Sequence, residues 1–140
     1  MIYLVQTDTT AGFLSKDMKA LNALKKRPLD KPCILCSASF GEITPRVPNR
    51  YKNLVRRTKK TTFILQNGFS FRIVKEGAHA AFLKKTGAMY STSANETGKS
   101  FDVDFAKSKA DVIVGDEKDF FEGIPSSILK LGHKRLKKIR

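Results

Sequence analysis

The sequence predicts an α/β (α+β) domain built on one twisted, mixed, partly parallel sheet with flanking helices. Three observations predict it. Short runs of apolar, β-branched and aromatic residues recur along the chain, each of strand length. Between them lie stretches whose apolar residues fall at helical spacing, the alternation that gives a layered sheet with helices. The 140 residues also suffice for one ordinary domain and not for two, so residues 1–140 are read as a single domain.

The elements follow in order. MIYLVQ at the start is the first strand: it lacks the basic segment and small-residue cleavage site of a signal peptide, which makes cytoplasmic the default location. Met18, Leu21 and Leu24 are helically spaced after Ser15 and Asp17, either of which can cap the start. That helix should end near Lys26, since Pro28 pushes the residue before it out of the helical region, and residues 25–30 become a loop. PCILCSA, TTFILQN, FRIVK, GAMYSTS, ADVIVGD and SSILKL are six further strands. NRYKNLVRR, AHAAFLKK and VDFAKSKA are the remaining helices. There is no internal repeat and no low-complexity linker.

Composition narrows the class. A hydrophobic content of 41% with ten phenylalanines lies outside the disordered range, and no apolar run is long enough to span a bilayer. The net charge of +14 implies an anionic partner: nucleic acid, nucleotide phosphates or an acidic surface. Basic residues crowd KKRPLDK, RVPNRYKNLVRRTKK and HKRLKKIR, while acids collect in residues 102–122, so the molecule should be polarised. Cys33 and Cys36 have metal-like spacing without a second pair, and His79 and His133 are distant. Three apart in an extended strand, the two thiols should point to opposite faces, and no metal is assigned to them.

Three polar clusters sit where an element gives way to loop, the usual place for binding groups in such sheets. They are QTDTTAGF, KKRPLDKP and STSANETG. Each has a structural explanation when taken singly: threonine and aspartate close turns, cations suit a helix C-terminus, and Asn95 or Gly98 can take a left-handed conformation. No Ser-His-Asp or Cys-His arrangement and no phosphate-cradling glycine loop is present, so any phosphate must be held by side chains.

In order, however, the clusters resemble one family, the YrdC-like threonylcarbamoyl-AMP synthases. Thr7-Asp8-Thr9-Thr10-Ala11-Gly12-Phe13 is similar to its Thr-Asp-Thr-Val-Tyr-Gly-Leu opening. Lys25-Lys26-Arg27-Pro28 with Lys31-Pro32 resembles its Lys-Gly-Arg-Pro signature and the Lys-Pro that follows. Thr92-Ser93-Ala94-Asn95-Glu96-Thr97-Gly98 resembles Thr-Ser-Ala-Asn-x-Ser-Gly. Pro125-Ser126-Ser127 resembles a late Pro-Ser-Thr, and Phe71-Arg72-Ile73 a Val-Arg-Ile/Val-Pro.

The resemblance implies a sheet wrapped round a basic concave cavity. It implies a nucleotidyltransferase that makes threonylcarbamoyl-AMP and pyrophosphate from L-threonine, bicarbonate and ATP, for threonylcarbamoyladenosine in tRNA. Lys25 and Arg27 become the catalytic candidates, because such transfers rest on positioning and electrostatics. The ATP-binding set is Lys25, Arg27, Ser93, Asn95 and Arg140, and the threonine and carbamate set is Thr7, Thr9, Lys31, Thr62, Arg72, Ser126 and Ser127. Mg²⁺ is expected with ATP, held mainly by phosphate oxygens and water. Implied partners are tRNA or double-stranded RNA and a downstream tRNA threonylcarbamoyl-transferase, with no membrane. The alternative is an RNA-binding protein of the same fold without synthase activity.

The chain departs from the pattern in places. Ala11 stands where the family has tyrosine, which removes an aromatic wall from the expected site. Thr58-Lys59-Lys60-Thr61-Thr62 replaces Pro-Gly-Pro-x-Thr, so that Thr62 alone matches, and the proline after Arg72 is missing near Val74 or Lys75. The chain is shorter than a typical member. LGHKRLKKIR is open between a solvated tail, an RNA contact and a last strand in which Lys138-Ile139-Arg140 brings Arg140 to the nucleotide.

Overall fold

The computed structural model describes residues 1–115 and 120–140. Its strands are β1 (Tyr3–Gln6), β2 (Ala11–Ser15), β3 (Ile34–Ser37), β4 (Thr61–Ile64), β5 (Ser70–Ile73), β6 (Met89–Ser93), β7 (Val112–Val114), β8 (Ser127–Leu131) and β9 (Leu136–Lys138). The helices are α1 (Met18–Leu24), α2 (Asn49–Arg57), α3 (Gly77–Thr86) and α4 (Val103–Lys109). The strands form one sheet in the order β7-β1-β2-β6-β3-β5-β4-β8-β9, with parallel pairs β1/β7, β3/β5 and β4/β8 and the rest antiparallel. The mixed sheet with flanking helices is the one the sequence predicts.

Asp17 caps α1 by accepting from the Lys19 N–H at 2.9 Å, and the helix stops at Leu24, two residues before the expected end, with Lys26 in a left-handed conformation (φ 54°). Residues 49–57 are helical as read. Two strands are additional. β2 is buried along its whole length, so it shows no polar alternation, and its small Ala11 and Gly12 give little strand signal. β9 pairs Leu136 with Leu131, and pairing continues through Ile139 N–H to Ile128 O (2.8 Å) and Ile128 N–H to Arg140 O (3.0 Å), which makes the C-terminus a strand. The segment ADVIVGD supplies β7, and its Asp116 lies outside the described residues.

Register and alternation sort the side chains onto two faces. Leu4, Phe13, Tyr90, Leu35, Phe71 and Phe63 share one face, and Val5, Leu14, Ser91, Cys36 and Arg72 the other. Leu21 of α1 and Ala106 of α4 pack with Leu4 and Phe13, and Tyr51 and Val55 of α2 pack with Phe63 and Phe71. Each fully buried Phe or Leu there contributes roughly 1.5–3 kcal/mol. On the second face α3 covers Val5, Leu14 and Cys36 with Ala80 and Leu83. The rest of that face carries Ser91, Ser93 and Arg72 and borders a cavity. No described helix is long and apolar enough to cross a membrane.

Candidate functional site

The cavity holds about 390 Å³ and opens on the second face. Thr7, Thr9, Arg27, Arg72, Ser93, Ser126 and Arg140 all line it, drawn together from residues far apart in the chain.

The β1–β2 turn forms one wall. Thr7 Oγ1 donates to Thr10 O and accepts from the N–H groups of Thr9 (3.2 Å) and Thr10 (3.1 Å), so its hydroxyl shapes the turn. Thr9 Oγ1 accepts from Arg72 Nη1 at 3.1 Å. Asp8 sits behind, paired with Arg72 Nη2, and its backbone N–H donates to Nδ1 of His79 on α3 (3.4 Å). Burial alone would raise the Asp8 carboxyl, but the His79 contact and the Arg72 guanidinium hold it below the usual value. Burial pushes the His79 ring down despite the neighbouring carboxylate. Arg72, expected to meet a substrate carboxylate, thus already has an internal one; its buried Nε has no partner among the described residues and remains a donor.

The loop after α1 forms the second wall, and Asn22 organises it. Fully buried, Asn22 donates through Nδ2 to Leu29 O (3.0 Å) and Lys31 O (2.8 Å), and its Oδ1 accepts from Arg27 Nε (2.6 Å) and Cys33 Sγ (3.4 Å). Arg27 also reaches Cys33 Sγ through Nη2 (3.3 Å), which leaves Nη1 without an acceptor among the described residues. The guanidinium is therefore fixed at one edge and open at the other. Lys31 is exposed and off the cavity wall.

Lys25 is placed differently from the expectation that it faces bound phosphate. Its ammonium donates to Ser93 O (3.0 Å), Asn95 O and Asn95 Oδ1 (3.3 Å), and its own carbonyl accepts from Thr97 Oγ1 (2.9 Å). All three N–H groups are engaged by protein. Burial, with Arg27 and Lys31 nearby, lowers it to about 8. Asn95 is equally committed: Nδ2 donates to Glu96 O (3.1 Å) and Lys99 O (2.7 Å), and Oδ1 accepts from Ser93 Oγ. Lys25 and Asn95 brace the loop after β6, and Ser93 is its member on the cavity wall.

At the far side, Thr62 Oγ1 and Ser126 Oγ share a hydrogen bond of 2.8 Å, and Arg140 Nε donates to Ser126 O at 2.9 Å. The last strand thus brings Arg140 to the cavity. Thr62 supports Ser126 from behind, and Ser127 is exposed outside. Ala11 is buried beside Phe13 on the opposite face, so the missing aromatic takes nothing from this wall.

Residues 121–125 cross the mouth. Phe121 O accepts from Ala11 N–H (3.0 Å), its N–H donates to Gln6 Oε1 (2.9 Å), and a side chain on Gly123 would place its Cβ 1.9 Å from Thr9 O. Only glycine allows that approach. Glu122 lines the cavity, the sole carboxylate to do so among the described residues, and Oε2 accepts from the Phe101 N–H at 3.4 Å. Sequence reading passed over Glu122, Asn22 and His79. Glu122 lay among other acids, and Asn22 showed only as one polar residue beside Leu21 in a short helix.

The cysteines are free and buried. Cys33 packs with Leu4, Phe13 and Leu21 on the first face and Cys36 with Val5, Leu14 and Leu83 on the second, the opposite placement that their spacing predicts, and both also border the cavity. Burial pushes the Cys36 thiol up. No three described His, Cys, Asp or Glu side chains come together as a metal site.

The Sua5/YciO/YrdC family model (Telomere recombination) matches residues 2–140, and the chain belongs to that family. The fold is shared with P. abyssi Sua5 complexed with L-threonine, at TM-score 0.81 and 19% identity over 99% of this chain and 49% of that one. It is shared with a further P. abyssi Sua5 structure (TM-score 0.81, 19% identity, 99% and 52%) and with E. coli YciO (TM-score 0.77, 19% identity, 99% and 82%). The chain spans about half the length of the Sua5 structures it matches. No curated protein sequence matches it significantly.

Proposed function

We propose that the cavity binds L-threonine, bicarbonate and ATP and forms threonylcarbamoyl-AMP with release of pyrophosphate, supplying threonylcarbamoyladenosine modification of tRNA through a downstream transferase. The observation that carries this is the lining itself: among the described residues, Arg27, Arg72 and Arg140 share it with one carboxylate, Glu122, and the hydroxyls of Thr7, Thr9, Ser93 and Ser126. Three guanidiniums suit phosphates and a carboxylate; a lone carboxylate among them suits an ammonium. An amino acid and a nucleotide together present that set of groups. Membership of the family, and the likeness to a Sua5 that carries L-threonine, support the choice of amino acid.

In this reading threonine's ammonium gives up a proton to solvent, and the free amine attacks bicarbonate carbon, forming the C–N bond of a carbamate and releasing water. A carbamate oxygen then attacks the α-phosphorus of ATP, the bond from that phosphorus to the bridging oxygen breaks, and pyrophosphate leaves with the electron pair. Arg27, with one edge open, neutralises the charge that develops on the leaving phosphates, and Arg140 assists from the opposite wall. Lys25 and Asn95 act on Ser93 by holding its loop. Arg72 is held by Asp8 and Thr9 and lends its positive charge to the cavity wall. Magnesium would be held mainly by phosphate oxygens and water.

Glu122 binds the α-ammonium of threonine in this account. Glu122→Gln keeps the shape and loses the charge, and a hydrogen bond to a charged group contributes about 1.5–3 kcal/mol. The KM for threonine should rise roughly tenfold or more while that for ATP stays within about twofold. An equal change in both would remove Glu122 from the amino-acid site. The reading as a whole is tested with isotopically labelled bicarbonate: label should enter a species with the mass of threonylcarbamoyl-AMP only when threonine and ATP are both present. Label that never enters a nucleotide, with folded protein, refutes it.

A further inference from the structure

The sheet ends in two edge strands, β7 and β9, and their charge differs. β7 lies in the acidic stretch of residues 102–122, whereas residues 123–140, which include β9, hold six Lys and Arg and no Asp or Glu. β9 is bonded to β8 on one side only, and its three residues are all exposed.

The register tells which backbone groups of β9 are free. Gly132 N–H donates to Arg135 O (3.1 Å) and Ile139 N–H to Ile128 O (2.8 Å), so Arg135, Lys137 and Ile139 turn their backbone groups toward β8. Alternation then turns the N–H and C=O of Leu136 and Lys138 to the open edge, where no described strand meets them. The side chains alternate as well. Leu136 and Lys138 share the first face with Leu131 and Phe63, and Lys137 and Ile139 lie on the second. Leu136 is 41% exposed and Ile139 50%, so each face of the edge pairs one lysine with one uncovered apolar side chain.

A free N–H and C=O repeated at every second residue is a template for another polypeptide backbone. Lysines on an edge reject a strand of the same kind. A second copy of β9 would set Lys137 and Lys138 against lysines, and like charges across a pair of strands are destabilising. Opposite charges there are favourable. From Leu136 to Ile139 the edge reads apolar-basic-basic-apolar, so the strand that complements it reads apolar-acidic-acidic-apolar in either direction. A nucleic acid would answer the lysines and leave both backbone pairs and both apolar side chains without partners.

We propose that β9 is a docking strand for an extended acidic segment of a partner protein, which joins the sheet beside Leu136–Ile139. The strand runs on into Arg140, whose Nε donates to Ser126 O at 2.9 Å, so the partner would lie next to the cavity wall. The inference rests on the edge and not on the reaction assigned to the cavity.

The test is amide hydrogen exchange, followed by NMR on the full chain, with the blocked peptide acetyl-Thr-Val-Glu-Glu-Val-Thr-amide as the added strand. The N–H groups of Leu136 and Lys138 should exchange about tenfold or more slowly with peptide bound, while that of Ile139, already bonded to β8, changes little. N-methylation of alternate peptide residues should abolish binding in one phase and spare it in the other, because only every second residue turns its backbone groups to β9. Lys137→Glu with Lys138→Glu changes exposed side chains and should leave the melting temperature unchanged. It should weaken binding of this peptide about tenfold or more and favour the peptide with Lys in place of Glu. No slowing at Leu136 and Lys138 with peptide up to about 1 mM would overturn the proposal. Equal binding of the two N-methylated peptides would do so too, since charge alone would then hold them. An RNA stem-loop that slows the same two amides as much as the peptide would give the edge to a different polymer and overturn it as well. None of these outcomes depends on whether the chain releases pyrophosphate.

Discussion

Arg27→Ala should lower pyrophosphate release by roughly two to three orders of magnitude, the usual cost of removing one donor aimed at developing charge. The side chain is set by Asn22 and Cys33 and is open to the cavity through its other edge, so its loss removes a positioned cation while the Asn22 amide still holds the loop through Leu29 O and Lys31 O. The effect should fall on kcat more than on the KM for threonine, because the charge that Arg27 meets appears as pyrophosphate leaves. Asn22→Ala should reproduce part of the loss while leaving Arg27 in place, by freeing the guanidinium and leaving two loop carbonyls without their donor. Steady-state kinetics on the two variants decide it: an Arg27→Ala enzyme within about threefold of the parent would exclude Arg27 from the phosphate site.

The second large effect is on stability. Asp8→Asn should destabilise the fold by about 3 kcal/mol, since breaking a buried pair leaves the Arg72 charge uncompensated. Urea unfolding measures this, with Thr9→Val as a comparison that keeps the ion pair and removes the hydroxyl's hydrogen bonds to Arg72 Nη1 and Thr7 Oγ1, each of which contributes about 1 kcal/mol. The pH dependence has a definite sign. The folded-state pKa of Asp8 lies below that of an ordinary aspartate. Its contribution is therefore complete above the unfolded pKa and is lost as pH falls through the folded one. Asp8→Asn should flatten the acid end of the stability profile. A profile of unchanged shape, or a loss under about 1 kcal/mol, would show that the pair does not hold the turn.

How much of this was legible in the sequence depended on the reach of the interaction. Helix α2 was found at its observed bounds because its apolar residues repeat at helical spacing. β2 was not found, because a strand covered on both faces shows no alternation. Motif order gave Thr9, Arg27, Ser93, Ser126 and Arg140, all of which line one cavity. What motif order could not give was the division between side chains that face the cavity and those that brace it. Lys25 and Asn95 sit in the motifs as prominently as Arg27 and Ser93, yet their donors and acceptors are taken up by each other and by the loop after β6. That division rests on contacts across about seventy residues of chain. The same holds for Glu122, which reaches the cavity only because Gly123 lets the backbone close on Thr9.

The central claim is that one cavity joins threonine, bicarbonate and ATP, and the most direct measurement is pyrophosphate release by the purified chain with each co-substrate omitted in turn. The account predicts release that requires both L-threonine and bicarbonate and falls to background with Arg27→Ala. Release that continues without threonine, or none at all from protein shown to be folded, would contradict it.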